Sequence, residues 1–214
     1  MSIAQRCMRS WALDVAIEAL QAGGPVLAVD DLNGTGIDMI VLARSASTPV
    51  VAEMIREGSG FICVTVSRSD AHRLCLPPMV WEGGNSFGGR MCVAVDAAEG
   101  VTTGISAQDR AVTLRTLGDG QSTPTSLTRP GHVIPVLATD ENTPGRPRLI
   151  AEAGHLCAVS GTDVQGSPVA FASLVSRIDP CREAGVAEVH HWDLPTIRYS
   201  DLRASITDSR TAVA

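Results

Sequence analysis

The sequence predicts a single domain of the α+β class, and its length, composition and order of patterns all support this. The chain has 214 residues, of which 44% are apolar and 19% are charged, as is typical of one well-packed globular domain. Short β-branched runs alternate with segments of helical spacing, and the chain contains no internal repeat. We expect one domain over residues 1–214, with a core from about residue 12 to 203 and a frayed C-terminus.

The first half of the chain predicts alternating helices and strands. Apolar residues recur at helical spacing between residues 11 and 20, and a Gly-Gly-Pro segment ends that helix. Thr48-Pro49 begins a second helix, because proline is well tolerated in a first turn, and Gly58 ends it. The predicted elements are helices over residues 11–20, 48–57 and 69–74, and strands over residues 26–29, 38–44 and 61–66.

The second half of the chain has longer polar segments between its elements. A glycine-rich loop is predicted over residues 85–90, an extended polar turn over 99–106 and a surface loop over 139–147. Strands are predicted over residues 91–97 and 133–138, and a helix over 107–117. Residues 149–202 are predicted as a mixture of helix and strand.

The charged residues exclude several classes of function. Asp and Glu number 23 against 17 Lys and Arg, which gives a net charge of −6, so phosphate-rich surfaces repel the chain and we expect no nucleic-acid or membrane partner. All 17 basic residues are arginine. The absence of lysine excludes a Schiff base, a phosphate-loop lysine and a lysine general base.

Hydropathy and cysteine spacing indicate the compartment. No apolar run reaches the roughly 18 residues that a membrane helix needs, and Asp14 and Glu18 interrupt the N-terminal segment, which is typical of an amphipathic helix rather than a signal peptide. The six cysteines are at least twelve positions apart, so there is no short Cys-x-x-Cys metal motif. We expect reduced thiols and a cytoplasmic protein.

Three motifs carry a resemblance to a known family. They are Arg56-Glu57-Gly58-Ser59-Gly60, Glu99-Gly100-Val101-Thr102-Thr103-Gly104-Ile105-Ser106-Ala107-Gln108-Asp109-Arg110, and Arg129-Pro130-Gly131-His132-Val133-Ile134-Pro135. With them, the chain resembles the 3,4-dihydroxy-2-butanone 4-phosphate synthase family of the riboflavin pathway from about residue 16 to residue 202. The resemblance implies a three-layer α/β/α fold and a homodimer with active sites between the subunits. It also implies a reaction in which a metal-chelated ribulose phosphate is enolised, dehydrated and rearranged with loss of formate.

The metal ligands that the resemblance implies are largely missing. The family takes them from an acidic loop, Asp-Asp-x-x-Arg-Glu-Asn-Glu-Gly-Asp, and from the histidine of a Gly-His-Thr-Glu motif. Here the loop runs from Asp30 to Asp38, is one residue shorter and lacks the Arg and both Glu residues, while the second motif reads Gly154-His155-Leu156-Cys157. Because Mg²⁺ prefers several oxygen ligands, we expect no bound metal and no cofactor. Mg²⁺ is expected only if the ancestral activity is retained.

The phosphate-binding groups that the resemblance implies are also replaced. Glu152 and Leu156 occupy the positions of a family arginine and threonine, and a carboxylate repels a phosphate dianion that a guanidinium would bind. We expect these two residues, together with Asp31 and Thr103, to contact a less polar, non-phosphorylated substrate.

Four residues are predicted to carry the chemistry. His132 and Asp38 are retained acid–base groups of the family pattern, and His155 remains from its metal site, whereas the family's downstream catalytic Glu aligns near Ser176. Cys157 lies two residues after His155, which on a strand puts both on one face. A thiolate nucleophile and a buried apolar filler both stay open for it, as a turn-stabilising role does for His132 and a core role for His155.

Three functions remain open from the sequence. The first is a repurposed, metal-independent lyase, isomerase or cyclase that acts by acid–base catalysis on a non-phosphorylated metabolite, in a setting such as bacterial natural product biosynthesis. The second is the synthase reaction itself, which makes the riboflavin precursor from ribulose 5-phosphate. The third is a non-catalytic binding or regulatory homodimer.

Overall fold

The computed structural model describes residues 11–34, 36–79, 90–138, 145–159 and 166–211. Most of the glycine-rich loop predicted over residues 85–90, and most of the surface loop predicted over 139–147, lie outside the described residues.

Six helices and eight strands are present in the described ranges. The helices are α1 (Trp11–Gln21), α2 (Thr48–Glu57), α3 (Arg68–Arg73), α4 (Ala107–Gly118), α5 (Arg146–Val159) and α6 (Tyr199–Thr211). The strands are β1 (Val26–Val29), β2 (Ile37–Leu42), β3 (Cys63–Val66), β4 (Arg90–Met91), β5 (Val95–Ala97), β6 (Leu127–Leu137), β7 (Val169–Ser173) and β8 (Thr196–Arg198). Short 3-10 helices cover Ala43–Ser45, Pro124–Ser126 and Val186–His191.

One mixed sheet of eight strands organises the molecule. Its strand order is β4-β6-β3-β7-β2-β1-β8, and β5 pairs with β6 outside this path. β1 with β8 and β3 with β6 are parallel pairs, and the other neighbours are antiparallel. The central strands β1, β2 and β3 are buried at every position, as expected when both faces of a sheet are covered.

Two hydrophobic cores lie on opposite faces of this sheet. Because side chains alternate along a strand, Leu27 and Val29 of β1 enter one core while Val26 and Ala28 enter the other. The first core takes its helical residues from α2 and α4, with a further contribution from α3, and the second takes them from α1, α5 and α6. The three-layer α/β/α arrangement, expected from the resemblance, is confirmed.

The structure corrects several predicted boundaries. The predicted strand over 91–97 is two short strands, and the strand predicted from residue 133 begins at Leu127, so it contains the Arg-Pro-Gly-His motif. The C-terminal segment is helical as far as Thr211 rather than frayed after residue 203. Leu202 and Ile206, one helical turn apart, anchor it in the second core. None of the helices in the described ranges is long and apolar enough to cross a membrane.

Glu57, at the C-terminal end of α2, fastens the segment that follows β7 to that helix. Its Oε2 atom accepts hydrogen bonds from Arg177 NH2 at 2.8 Å and from Trp192 Nε1 at 3.0 Å, and its Oε1 atom accepts one from Arg56 Nε at 3.0 Å. The hydrogen bond from Arg177 is the largest influence on the carboxyl group. Together with those from Trp192 and Arg56 it outweighs the opposing effect of burial and lowers the pKa of Glu57 from 4.5 to about 2.

We expect Glu57→Gln to destabilise the protein in a pH-dependent way. A carboxyl group whose pKa is lowered by folding stabilises the native state above its unfolded pKa, and this contribution is lost as the pH falls from about 4.5 towards 2. The variant should therefore lose about 1–2 kcal/mol of unfolding free energy at pH 7, and the difference should shrink below pH 4.5.

Urea unfolding followed by circular dichroism between about pH 3 and pH 7 measures this difference. Glu53→Gln is the matched control, because the contact of Glu53 with Arg56 is long, at 3.8 Å, and exposed. Equal stability loss at all pH values would show that the Glu57 charge has no such role.

Candidate active site

His132 and Asp96 form a hydrogen-bonded pair at the junction of β6 and β5. Asp96 accepts two bonds, from the His132 backbone N–H to Oδ1 at 2.9 Å and between His132 Nδ1 and Oδ2 at 2.8 Å. The ladder between β5 and β6 is irregular after Val95, which brings Asp96 beneath the histidine. The imidazole side chain is 38% exposed. Asp96 thus fixes the ring through Nδ1, and Nε2 lies outside this contact.

The turn of the second motif covers this pair. Gly104 adopts φ +82°, and a Cβ atom there would collide with the Asp96 carboxylate and lie 2.6 Å from His132 Nδ1. Asp109 at the start of α4 holds the turn, since its Oδ2 atom accepts bonds from Thr102 Oγ1 at 2.9 Å and from the Gly104 N–H at 3.0 Å. Thr103, a predicted substrate-binding residue, is exposed on this turn.

Arg110 lies behind the pair as a buried cation. Its NH1 group donates to the Gly60 carbonyl at 2.7 Å, and its buried Nε atom has no hydrogen-bond partner among the described residues. Burial lowers the pKa of the Arg110 guanidinium, and the negative charge of Asp96 counteracts this effect. Arg110, the last residue of the second motif, therefore stabilises the negative charge of Asp96 electrostatically.

Asp38 belongs to a second, buried cluster on β2. Arg146 at the start of α5 donates from Nε to Asp38 Oδ2 at 2.6 Å and from NH2 to Oδ1, and Tyr199 at the start of α6 donates to Oδ2 at 2.7 Å. Arg146 NH2 also donates to Ser173 Oγ at 2.7 Å. We call Asp38, Arg146, Ser173 and Tyr199 the Asp38 cluster.

The electrostatics of the Asp38 cluster favour a fixed ion pair. Burial opposes the charged form of Arg146, but the Asp38 carboxylate outweighs it and raises the pKa of the guanidinium above its usual value. Burial and the Asp38 charge also raise the pKa of Tyr199. Both side chains therefore keep their protons at neutral pH and donate to Asp38, so this carboxylate is a structural acceptor in the free protein.

Cys63 and Glu183 adjoin the Asp38 cluster. Burial, together with the Asp38 charge, raises the pKa of the Cys63 thiol to about 12, so it is not a thiolate nucleophile at neutral pH. Glu183 Oε1 lies 3.9 Å from Arg146 NH1 and marks the outer edge of the cluster.

The sheet register separates His132 from Asp38. Asp38 on β2 pairs with Ser173 on β7. Two residues along β2, Ile40 begins a row of paired residues that crosses the sheet through β7, β3 and β6; its members are Ile40, Phe171, Cys63 and Ile134. His132 precedes Ile134 by two residues, so it lies in the row of Asp38 but three strand spacings away, about 14 Å. One chain therefore contains two separate clusters rather than one constellation.

His155 and Cys157, which a strand would place on one face, are both on helix α5. Residues two apart on a helix point in different directions. His155 is accordingly exposed, whereas Cys157 is buried against α1, with Sγ 4.0 Å from the Ile17 carbonyl. His155 is nine residues after Arg146, about 14 Å along the helix, so Arg146 and not His155 meets Asp38.

The remaining predicted residues have structural contacts in the single chain. Glu152 is buried and bridges α5 to α6, accepting from Arg148 NH1 at 3.1 Å and Ser205 Oγ at 2.9 Å. Leu156 is buried in the second core. Glu152 and His155 also line a cavity of about 280 Å³ with Thr65, Asp70 and Arg148.

The acidic loop and Ser176 serve as caps. Asp31 accepts from the Ser200 N–H at 2.9 Å and from its hydroxyl at 2.5 Å, which caps the start of α6. Asp30 accepts from the backbone of Leu32 and Asn33 within its own turn. Ser176 lies beyond the end of β7, where its hydroxyl accepts from two backbone N–H groups of the next turn.

Sequence reasoning misses Asp96, Arg146, Tyr199 and Glu183. Asp96 could have been recognised from its position three residues before the Glu-Gly-Val-Thr-Thr motif. It lies on β5, which pairs with the strand that contains the Arg-Pro-Gly-His motif. Arg146 and Tyr199 are brought to Asp38 from 108 and 161 residues away along the chain, and no local pattern indicates such pairings.

Fold and clusters define a three-layer α/β/α protein with a histidine–aspartate pair on an irregular sheet edge, an arrangement suited to acid–base enzymes. A sequence profile of 3,4-dihydroxy-2-butanone 4-phosphate synthase matches residues 14–204. The chain therefore belongs to the 3,4-dihydroxy-2-butanone 4-phosphate synthase family.

Individual relatives agree with this assignment. The chain is 42% identical over 130 residues to a 3,4-dihydroxy-2-butanone 4-phosphate synthase of Chromobacterium violaceum, covering 60% of this chain and 62% of that protein. It is 38% identical over 197 residues to riboflavin biosynthesis protein RibBA of Nocardia farcinica, covering 90% of this chain and 47% of that protein. The matches to these and two further curated relatives cover 32% to 62% of their lengths.

Solved structures show the same fold. The crystal structure of 3,4-dihydroxy-2-butanone 4-phosphate synthase of Candida albicans superposes with a TM-score of 0.78 at 27% identity, covering 91% of this chain and 96% of that one. A further structure of this synthase, with a TM-score of 0.77 and 27% identity over 91% of this chain and 96% of that one, is a complex with two magnesium ions.

We expect Gly104→Ala to disrupt the histidine–aspartate pair. The new Cβ atom would collide with the Asp96 carboxylate, and the positive φ adds strain for any L side chain. The variant should lose about 2 kcal/mol or more of unfolding free energy, measured by chemical denaturation. Gly120→Ala is the control, because nothing lies within 4 Å of the place that its Cβ atom would occupy. Equal stability of the two variants would contradict this geometry.

Proposed function

We propose that the chain is an acid–base enzyme of its family, with His132 as the group that moves protons and Asp96 as its positioning residue. The observation that carries this proposal is the pair of hydrogen bonds from His132 to Asp96. A carboxylate that accepts from Nδ1 selects the tautomer whose Nε2 carries the lone pair, and it stabilises the imidazolium formed when Nε2 takes up a proton.

The names of the relatives favour the family reaction as the first candidate. In that reaction ribulose 5-phosphate would be enolised, dehydrated and rearranged, and formate would be released with the riboflavin precursor. His132 Nε2 would accept a proton from a carbon next to the carbonyl group and return it to a departing or rearranging oxygen. The partial exposure of the ring gives a substrate access to this nitrogen.

The Asp38 cluster favours a second candidate, the same proton chemistry on a different metabolite. Asp38 is saturated by Arg146 and Tyr199, and Glu152 is paired with Arg148. A lyase, isomerase or cyclase acting on a non-phosphorylated compound, as in natural product biosynthesis, needs neither a metal nor a phosphate site. A binding protein without catalysis is the outcome if no proton transfer can be detected.

We also propose a homodimer in which one chain places His132 near the Asp38 cluster of the other. His132 and Asp38 are about 14 Å apart within one chain, so a single chain does not bring the two clusters together around one small substrate. Two large apolar side chains near His132 are exposed: Ile105 (53%) follows Gly104, and Phe61 (45%) is level with His132 if the register of β3 and β6 is extended. Contact with a second copy would bury them.

The family reaction is tested by measuring formate released from ribulose 5-phosphate, with and without Mg²⁺. His132→Asn should lower kcat/KM by about 10²–10⁴-fold. Asp96→Asn should lower it by about tenfold or more, because the imidazolium loses its carboxylate. His72→Asn, at an exposed histidine on α3, is the control.

The outcomes separate the candidates. Formate release that depends on His132 supports the family reaction. No release, with His132-dependent exchange of solvent deuterium into non-phosphorylated ketoses, supports the second candidate. Undiminished turnover in His132→Asn would remove the histidine from the mechanism.

The dimer is tested by light scattering and sedimentation. We expect a mass of about twice the 22.4 kDa of one chain, and we expect Phe61→Glu to shift the population to monomers and to lower turnover, since burying a charge in an interface is costly. Ile178→Glu is the control, because Ile178 is 79% exposed on the loop after β7. A wild-type monomer at micromolar concentration would contradict the proposal.

A further inference from the structure

The acidic loop and its surroundings do not fit a magnesium site. A structure of the related synthase is a complex with two magnesium ions, and hard divalent cations need several oxygen ligands that are open to them. Here Asp30 caps its own turn and Asp31 caps α6. Within the described ranges, no group of three or more His, Cys, Asp or Glu side chains is placed to hold a metal ion.

Asp38, the remaining carboxylate of the loop, already has a cation. Its two oxygens accept from Nε and NH2 of Arg146, and its Oδ2 atom also accepts from Tyr199. A bidentate guanidinium occupies the directions from which a metal ion would approach a carboxylate. The carboxylate is 1% exposed and the Arg146 side chain 19% exposed, so displacement of the guanidinium would leave one of two charges buried without compensation.

The position of Arg146 strengthens this interpretation. The resemblance implies an imidazole metal ligand in addition to the acidic loop, and the sequence points to His155 for it. In the folded chain the residue of α5 that meets Asp38 is Arg146, in the segment Gly145-Arg146-Pro147-Arg148 at the N-terminal end of the helix. A permanent positive charge therefore stands beside Asp38, the carboxylate at the end of the loop from which the family takes metal ligands.

We infer that the Arg146 guanidinium replaces the divalent metal ion at the Asp38 cluster, so that this protein binds no Mg²⁺ there. Two further hydrogen bonds stabilise the ion pair: Ser173 accepts one from Arg146, and Tyr199 donates one to Asp38. The cation is thus covalently part of the chain, and the cluster keeps its charge balance at any Mg²⁺ concentration. The inference concerns the metal alone and holds for either reaction of His132.

The first test measures metal binding by the whole chain directly. Mn²⁺, which substitutes for Mg²⁺ and gives an electron paramagnetic resonance signal when free, is titrated into wild type and Asp38→Asn. We expect no stoichiometric Mn²⁺ binding by wild type, or binding that Asp38→Asn leaves unchanged. Stoichiometric binding that Mg²⁺ displaces and Asp38→Asn abolishes would overturn the inference, whatever the formate assay shows.

The second test asks whether a cation is needed at this place. Arg146→Ala should lower the Tm by about 10 °C, because it leaves the Asp38 charge buried and unpaired. Millimolar Mg²⁺ should recover part of this loss in Arg146→Ala and leave the wild-type Tm unchanged. A wild-type Tm that rises with Mg²⁺ and falls with a chelator would count against the inference.

Arg148→Ala, two residues further along α5, is the matched control. It removes an arginine that pairs with Glu152 instead of Asp38, so Mg²⁺ should not recover its stability. If Arg146→Ala does not fold, the Mn²⁺ titration of wild type and Asp38→Asn still decides the question. Recovery by Mg²⁺ of both variants alike would show that the effect is not specific to the Asp38 cluster, and would contradict the inference.

Discussion

The buried carboxylate of Asp38 is the constraint around which this face of the molecule is built. Asp38 lies on β2, an interior strand of the sheet, and burying a charge there is costly unless donors surround it. Arg146 and Tyr199 are the first residues of α5 and α6, so satisfying one carboxylate sets where both helices begin. Ser173 on β7 joins the same network. One side chain thereby positions two strands and two helices.

The two charged clusters have different relationships to solvent, and this difference is why we propose proton transfer for one and a structural role for the other. In the buried Asp38 cluster, Arg146 and Tyr199 keep their protons because the Asp38 carboxylate accepts from both. The pair of His132 and Asp96 stands at an irregular sheet edge with its imidazole partly exposed. Catalytic groups must change protonation during a cycle, and only the second environment allows this without leaving a buried charge unpaired.

The sequence is sufficient for the fold and for His132, and insufficient for the rest of the site. Helix α1 and strand β1 follow from local apolar periodicity, which depends on residues a few positions apart. His132 can be found because its motif is continuous in the chain. The surroundings of His155 could not be predicted, because a short match to a family motif does not reveal the helical register in which it stands. Arg146 cannot be found at all, since its partner is 108 residues distant.

The parallel pairing of β8 with β1 has a consequence for how the chain is made. β1 precedes β8 by about 170 residues in the chain, so its outer edge is completed only by residues 196–198, and Tyr199 reaches Asp38 directly afterwards. During translation, the outer edge of β1 lacks its hydrogen-bond partners, and Asp38 lacks the Tyr199 hydroxyl, until these residues emerge from the ribosome. The nascent protein therefore exposes an unpaired strand edge until residues 196–198 emerge, and at that stage chaperones can protect it.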